Sequence, residues 1–306
     1  MRYSRPTAVL VLLVALALAL AACGSSKSSS SNSSTSGASS GGSTTATKDA
    51  TVAAEVPAAI KSKGTISVAA DATYPPNEFL NPGNKKVMGM DADLAQALAS
   101  VMGLKADVKN ATFDSIIPGL AAGKYDLGMS SFTDTKEREA TVDFVTYFNA
   151  GTSFYTKAQG GPTINTLADL CGHKVVVEKG TTQADDANAQ SKKCKTAGKP
   201  AVTVQVYPDQ NGANLALSSG RGDVGMADSP VADYLVKKSS GQFKISGQTY
   251  GQAPYGIAIP KKSGLQKPVQ DALKKLIQGG QYKAILSKWG IESGALTNPV
   301  INGATS

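Results

Sequence analysis

Segments with the pattern of a short buried strand alternate with segments of helical periodicity from about residue 60 to residue 290. In the first pair, residues 66–70 are predicted to form a strand, and the helix that follows carries its apolar side chains on one face. Those helical positions are Leu94, Ala97, Leu98, Val101 and Met102. Chains that alternate in this way fold as sheets flanked by helices. We therefore expect an α/β fold.

Two segments of the chain resemble each other, residues 120–129 (LAAGKYDLGM) and residues 217–226 (LSSGRGDVGM). Both have the pattern of a helix end, a glycine cap, a basic residue, an aspartate and a strand of small residues. Polar residues follow each strand at once, namely Ser130, Ser131 and Thr133 after the first and Asp228 after the second. Either the two units only share turn chemistry, or two similar lobes present polar groups where open α/β sheets bind ligands.

Residues 1–22 have the pattern of a bacterial lipoprotein signal peptide. Arg2 and Arg5 precede an unbroken apolar run at 8–22, which is short for a membrane span. The sequence LAACG at 20–24 resembles the lipobox, in which the cysteine becomes the lipidated mature N-terminus. Ordinary secretion with an incidental cysteine is the alternative. The resemblance implies that lipid on Cys23 anchors the protein to the outer face of the bacterial cell membrane.

A flexible tether is expected over residues 23–50, after the signal peptide. Residues 24–48 are almost entirely Ser, Thr and Gly, which cannot bury enough apolar surface to fold. A disordered segment of about 25 residues has an average reach of roughly 25–30 Å. Such a tether would hold the folded part away from the membrane.

The remaining cysteines, Cys171 and Cys194, are an even number in a chain predicted to be exported to an oxidising compartment. We predict that they form a disulfide, with two buried free thiols as the alternative. A catalytic thiol is not expected, because the chain's one histidine, His173, lies two residues from Cys171 in a polar run typical of a surface turn.

Composition and motifs exclude several classes of function. The net charge is +8, but no block of basic residues interleaves with aromatics, so we expect no nucleic-acid binding. The sequence has no G-x-S-x-G, H-E-x-x-H, P-loop or G-x-G-x-x-G motif. One histidine and two predicted half-cystines exclude the usual zinc sites. We therefore expect no catalytic residue, metal or cofactor.

The residues that remain are suited to holding a zwitterion. An α-carboxylate is held well by a planar cation together with hydroxyl and N–H donors, and an α-ammonium by a carboxylate. Candidates for the carboxylate are Arg138, Ser131, Thr133 and Thr182, and the candidate for the ammonium is Asp228.

From about residue 66 to residue 289 the chain resembles the family 3 extracellular solute-binding proteins, which deliver polar amino acids to ABC importers. Five motifs, in the order found in that family, carry the resemblance. They are residues 89–95 (GMDADLA), 113–126 (FDSIIPGLAAGKYD), 130–138 (SSFTDTKER), 175–183 (VVVEKGTTQ) and 287–290 (SKWG). The resemblance implies a type II periplasmic-binding-protein-like fold, with two lobes joined by two hinge crossings. Lobe 1 would hold residues 60–146 and 252–295, and lobe 2 residues 147–251. Ligand binding would close the lobes.

The resemblance also implies roles at the ligand's main-chain ends. Arg138 matches the residue that grips the carboxylate, and Thr182 matches a donor at the start of a lobe 2 helix. Ser131 and Thr133 match residues that hold the ligand ends with hydroxyl and backbone N–H groups. Asp228 matches the carboxylate that pairs with the ammonium, and Ser130 matches a position whose backbone carbonyl contacts the ammonium. The alternative to these binding roles is that Arg138 is an ordinary surface arginine and that Asp228 caps a helix.

Four further matches surround the ligand side chain. Tyr74 and Phe113 match the positions that sandwich it, although both could be core aromatics, and Asp71 and Glu178 match positions near its far end. Two acids there favour a basic amino acid such as arginine or lysine by charge pairing, and an amide such as glutamine could also be held.

The implied partners are a free amino acid and a separate membrane permease and ATPase, with the binding protein itself a monomer. Two other functions use the same fold. One is a dehydratase acting on prephenate or arogenate, and the other is an amino-acid sensor or envelope-interaction protein.

Overall fold

The computed structural model describes residues 46–305. The predicted signal peptide, Cys23 and residues 24–45 of the predicted tether lie outside this range. None of the helices within it is both long enough and apolar enough to cross a membrane.

The described residues alternate strands and helices, which confirms the predicted α/β class. The α-helices are α1 (Ala50–Glu55), α2 (Ala58–Lys63), α3 (Met90–Val101), α4 (Phe113–Ala121), α5 (Lys136–Glu139), α6 (Thr182–Thr196), α7 (Gln210–Ser218), α8 (Ser229–Lys238), α9 (Gln266–Gln278) and α10 (Gln281–Trp289). The strands are β1 (Thr65–Ala70), β2 (Thr73–Tyr74), β3 (Glu78–Leu80), β4 (Val87–Met88), β5 (Lys105–Asn110), β6 (Leu127–Gly128), β7 (Val142–Lys157), β8 (Lys174–Glu178), β9 (Thr203–Tyr207), β10 (Val224–Asp228) and β11 (Phe243–Pro260). Two 3₁₀ helices cover Leu167–Leu170 and Glu292–Gly294.

One eight-stranded sheet has the order β5-β1-β6-β11-β7-β10-β8-β9, and β2, β3 and β4 form a small second sheet. Strands β1, β5 and β6 pair in parallel on one side, and β8, β9 and β10 pair in parallel on the other. We call the first group with its helices lobe 1 and the second group lobe 2. The two lobes are joined by the long antiparallel strands β7 and β11, which both lobes share.

The predicted lobe boundaries, at 146/147 and 251/252, fall inside β7 and β11. Two crossings of the chain at these strands agree with the two hinge crossings expected from the family resemblance. The residue at which one lobe ends and the other begins stays a prediction.

The helical periodicity seen in the sequence corresponds to buried faces. Each of the five positions predicted on one face of α3 and its C-cap is at most 4% exposed. They pack with buried residues of α9 and α10, including Val269, Leu273 and Leu286, in the core of lobe 1. Burying one Leu side chain contributes about 1.5–3 kcal/mol, so this face stabilises the lobe strongly.

The folded part begins earlier than the sequence indicated. Asp49 caps α1 by accepting from the Thr51 and Val52 amides at 2.9 and 3.0 Å, and its own amide donates to the Val101 carbonyl at 3.0 Å. The predicted tether to residue 50 is therefore too long at its C-terminal end, and lobe 1 begins before residue 60. The reason is an apolar stripe, Val52, Val56 and Ile60, which is buried against the core of lobe 1.

The predicted disulfide is confirmed. Cys171, directly after the first 3₁₀ helix, is bonded to Cys194 in α6, with 5.7 Å between the two Cα atoms. Since α6 begins beside the cleft between the lobes, this bond ties the helix to the body of lobe 2.

Candidate ligand-binding site

A small, narrow cavity lies between the lobes. Its walls come from the carboxyl ends of strands in both lobes and from the helices that follow them. The lining residues are Tyr74, Phe113, Ser131, Thr133, Arg138, Thr181, Thr182, Gln183, Gln210, Ala227, Asp228 and Val231.

Arg138 lies on α5, a helix of four residues whose N-cap Thr135 accepts from the Arg138 amide at 3.2 Å. The guanidinium donates to the Thr133 carbonyl at 2.9 Å and to the Gly180 carbonyl of lobe 2 at 3.0 Å. It lies over the Phe113 and Phe132 rings, at 5.4 and 5.6 Å from their centroids. Burial lowers the pKa of Arg138, while the Asp228 carboxylate opposes this shift.

Thr182 is the first residue of α6, and Thr181 caps this helix by accepting from the Ala184 amide at 3.2 Å. The N-terminus of a helix of 15 residues carries unpaired N–H groups and the positive end of the helix dipole. Arg138 from lobe 1 and this helix start from lobe 2 both line the cavity, so its wall is suited to a carboxylate.

Asp228 is the last residue of β10 and the N-cap of α8, but its side chain makes no capping hydrogen bond. Its carboxyl accepts instead from the Tyr255 hydroxyl at 2.7 Å and from the Gln183 amide at 2.7 Å. Burial raises the pKa of Asp228 to about 6, although these donors and Arg138 lower it. An ammonium group in the cavity would pair with this carboxylate.

Ser130 and Ser131 are engaged behind the cavity rather than in it. Ser131 has a left-handed backbone with φ of 52°, and its amide donates to Asp91 at 3.1 Å. The Ser130 and Ser131 hydroxyls both donate to the buried Glu78, at 3.1 and 3.2 Å. Ser131 still lines the cavity, whereas Ser130 does not. The donors expected from Ser131 for the ligand are thus already used by two buried acids.

Tyr74 and Phe113 contact each other edge to face, with ring centroids 5.9 Å apart and an interplanar angle of 74°. Both rings line the cavity, and the expectation that they sandwich a ligand side chain stays a prediction. Edge-to-face pairs are favourable through their ring quadrupoles, and Phe113 also stacks on Phe132 at 4.5 Å.

Asp71 and Glu178 do not line the cavity; they are 2% and 1% exposed. Asp71 accepts from the Thr73 hydroxyl at 2.7 Å and from the Phe113 amide at 2.9 Å. Both oxygens of Glu178 and the Tyr74 hydroxyl are buried without a hydrogen-bond partner among residues 46–305. Burial and the neighbouring Asp71 raise the pKa of Glu178 to about 9, while Tyr74 lowers it.

Two glutamines in the lining were missed from the sequence. The Gln183 amide donates to Thr152 at 2.9 Å as well as to Asp228, and the Gln210 amide donates to the Tyr155 hydroxyl at 2.9 Å. Gln183 ends the motif GTTQ, which could have identified it. No local sequence pattern predicts that Gln210 lines the cavity, because it reaches the site only through the packing of α7.

The lobes contact each other around the cavity. Besides the bond from Arg138 to Gly180, Lys179 of lobe 2 pairs with Asp114 of lobe 1 at 2.8 Å, and the backbone N–H of Gln210 donates to the Thr73 hydroxyl at 3.3 Å. A Cβ on Gly180 would lie 3.1 Å from the Asp114 Cβ, so this glycine lets the lobes approach closely. The structure is therefore a closed arrangement of the two lobes.

Comparison with known proteins agrees with this geometry. Residues 66–292 match the model of the bacterial extracellular solute-binding proteins, family 3. The chain therefore belongs to the family 3 solute-binding proteins. It is 34% identical to an arginine-binding protein of Corynebacterium glutamicum, over 82% of each chain.

Solved structures of amino-acid-binding proteins have the same fold. An ancestral arginine-binding protein bound to arginine is 38% identical, with a TM-score of 0.67, over 74% of this chain and 98% of that one. An ancestral amino acid-binding protein that is a precursor of cyclohexadienyl dehydratase is 33% identical, with a TM-score of 0.65, over 76% of this chain and 97% of that one. The two-lobe fold expected from the sequence is confirmed.

Replacing Arg138 tests the carboxylate end of the cavity. Arg138→Ala removes a buried charge-assisted donor pair, so we expect the Kd for any bound amino acid to rise by about 100-fold or more. Isothermal titration calorimetry measures the Kd. Arg221→Ala is the control, because Arg221 is exposed and lies outside the cavity lining. Equal affinities in both variants would contradict the assignment.

Proposed function

We propose that this family 3 solute-binding protein captures a cationic amino acid, arginine above all, and delivers it to an ABC transporter permease. The observation that carries the choice of ligand is the buried, unpartnered carboxyl of Glu178 beside the cavity. The relatives are substrate-binding proteins rather than enzymes, which supports capture without turnover.

The main-chain groups of the ligand would be held from both lobes. The carboxylate would accept hydrogen bonds from Arg138 and from the start of α6 at Thr182, with Thr133 beside them. The ammonium would pair with Asp228, which Tyr255 and Gln183 hold in place. Because these groups come from both lobes, a bound amino acid would favour the closed arrangement.

The far end of the cavity favours a donor-rich cation. Buried polar atoms are nearly always hydrogen-bonded, and Glu178 and Tyr74 together leave three oxygens without partners among the described residues. A guanidinium supplies five N–H donors and a positive charge, whereas an amide supplies only two N–H donors and no charge. A glutamate side chain would supply no N–H donor and would be repelled by Asp71. Arginine therefore fits this end best.

Glu178→Gln tests the ligand class. The substitution keeps the shape of the side chain but removes its charge, so we expect arginine affinity to fall about 10- to 100-fold. The preference for arginine over glutamine should shrink by a similar factor in calorimetric titrations. Glu292→Gln is the matched control, because Glu292 is exposed and lies outside the cavity lining.

Mass spectrometry of the recovered ligand completes this experiment. The proposal expects unchanged arginine after incubation with the protein. A wild-type protein that binds no amino acid, or that converts a bound one, would overturn the proposed capture, and an unchanged preference in Glu178→Gln would overturn the choice of a cationic ligand.

Arginine binding should also be coupled to pH. With its pKa raised to about 9, Glu178 is mainly protonated at pH 7 in the ligand-free protein. A bound guanidinium favours the ionised form, so binding releases a proton and arginine affinity should rise with pH, up to about tenfold per unit between pH 6.5 and 8.5. The groups facing Glu178 are the acids Asp71 and Asp209 and the phenols Tyr74 and Tyr155.

Calorimetry in buffers of different ionisation enthalpy counts the protons released. We expect close to one proton per arginine at pH 7.5 in the wild-type protein and none in Glu178→Gln. A neutral ligand such as glutamine should show no such slope until the pH falls toward 6, where Asp228 becomes protonated. Absence of proton release with tightly bound arginine would show that Glu178 is already ionised.

We also propose that Cys23 carries the lipid that anchors this extracellular protein, as LAACG at 20–24 indicates. The chain expressed in a bacterium should incorporate radiolabelled palmitate, and Cys23→Ser should not. The double variant Cys171→Ser/Cys194→Ser controls for labelling at other cysteines and should stay labelled. A wild-type chain without label would exclude lipid anchoring.

A further inference from the structure

The chain continues past the family match, which ends at residue 292. Residues 296–304, which we call the C-terminal strap, lie against the first half of β7 in lobe 1. The sequence predicted the end of lobe 1 at residue 295, so the strap is a part of the fold that was not expected.

The strap pairs with an edge of β7 that β11 does not cover. The Thr146 amide donates to the Val300 carbonyl and the Val300 amide to the Thr146 hydroxyl, both at 2.9 Å. The Asn302 amide donates to the Phe144 carbonyl at 2.9 Å, and the Phe144 amide to the Asn302 side chain at 2.8 Å. These bonds satisfy backbone groups that an open edge would leave exposed.

The last two strap residues reach the segment that carries Arg138. The Gly303 amide donates to the Asp134 carboxyl at 2.8 Å, and the Ala304 amide donates to the Glu139 carboxyl at 3.1 Å. Asp134 directly follows Thr133, and Glu139 directly follows Arg138. The strap thus holds the two acids that flank the carboxylate-binding residues.

Tertiary contacts are needed here because α5 has only four residues, too few to be stable as an isolated helix. Asp134 is fully buried, and its Oδ1 has no hydrogen-bond partner among the described residues. Gly303 is the one N–H donor that the described residues offer to this carboxyl. Without it, a buried carboxyl would be left unsatisfied within the ligand-binding segment.

We infer that the C-terminal strap positions Arg138 and Thr133 for the ligand carboxylate, although no strap residue lines the cavity. The inference rests on the proposed capture of an amino acid. The strap residues are positioning residues, since they act on the ligand through Asp134, Glu139 and the helix α5 between them.

A chain that ends at Asn302 tests this most directly. It lacks the Gly303 and Ala304 amides but keeps all of the pairing with β7. Because each lost hydrogen bond contributes a factor of about 2 to 10, we expect the Kd for arginine to rise about fivefold or more. The thermal midpoint of the ligand-free protein should change little. A chain that ends at Ala304 is the control and should bind like the full chain.

A double-mutant cycle separates positioning from general stability. In the Arg138→Ala background, removing residues 303–306 should raise the Kd much less than in the wild-type background, because Arg138 is absent and only Thr133 remains to be positioned. Within the full chain, Glu139→Ala should weaken binding more than Lys136→Ala, because both break the Lys136–Glu139 ion pair but only the first removes the acceptor of the Ala304 amide.

The outcomes distinguish this inference from the proposed function. If the full chain binds arginine and the chain ending at Asn302 binds it equally well, the strap has no positioning role and the proposed function stands. An equal loss of affinity in both Arg138 backgrounds would also overturn the inference. If the full chain binds no amino acid, the proposed function and the inference both fail.

Discussion

Strands β7 and β11 pair along most of their length, from Lys157 opposite Phe243 to Val142 opposite Pro260. At 16 and 18 residues they are far longer than ordinary strands, because both lobes are built on them. Their pairing brings the carboxyl ends of β6, β8 and β10 to one cleft. The breaks in register fall in the part of β11 from Ser246 to Gly256, where the chain passes from lobe 2 to lobe 1. The cleft therefore exists only because this one pairing crosses from lobe to lobe.

Buried acids shape both sides of the cleft. Glu78 and Asp91 lie together beneath the Ser130–Ser131 turn, and burial raises the pKa of both, to about 6 for Asp91. The hydroxyls of both serines and of Tyr147, together with the Ser131 amide, donate to this pair. Three of the four carboxyl oxygens of this pair accept hydrogen bonds from within lobe 1, and only Asp91 Oδ1 has no partner among the described residues, so the pair holds a loop in place. Glu178 is equally buried, but its neighbours Tyr74 and Asp71 make no hydrogen bond of normal geometry with it, which is why we connect Glu178 with a ligand rather than with a structural role.

Local patterns predicted the parts of this molecule that depend on local physics. Periodicity predicted strand β1 and helix α3, because a buried face imposes its spacing on the sequence. The search for groups suited to holding a zwitterion, together with the family motifs, identified Arg138, Thr182 and Asp228, which all line the cavity. The parity of the cysteines identified the disulfide.

Contacts between segments that are far apart in the sequence could not be predicted from local sequence patterns. Gln210 enters the lining through the packing of α7, and the strap is joined to Asp134 by backbone amides that any residue could supply. A sequence also does not reveal that Glu78 and Asp91 lie behind Ser130 and Ser131. Likewise, the aromatic character of Tyr74 and Phe113 was clear, but the angle between their rings depends on Phe132 and the surrounding core.

Arg138 links ligand recognition to closure. Its guanidinium has five N–H donors, of which one bonds the Thr133 carbonyl of its own lobe and one the Gly180 carbonyl of the other. Three donors therefore remain for a ligand carboxylate, which would lie between this side chain and the start of α6. A carboxylate held there increases the attraction between Arg138 and lobe 2, because both sides of the cleft then bind the same anion. In the proposed binding mode, binding of the carboxylate would therefore favour closure of the lobes, and the contacts that hold α5 would affect both.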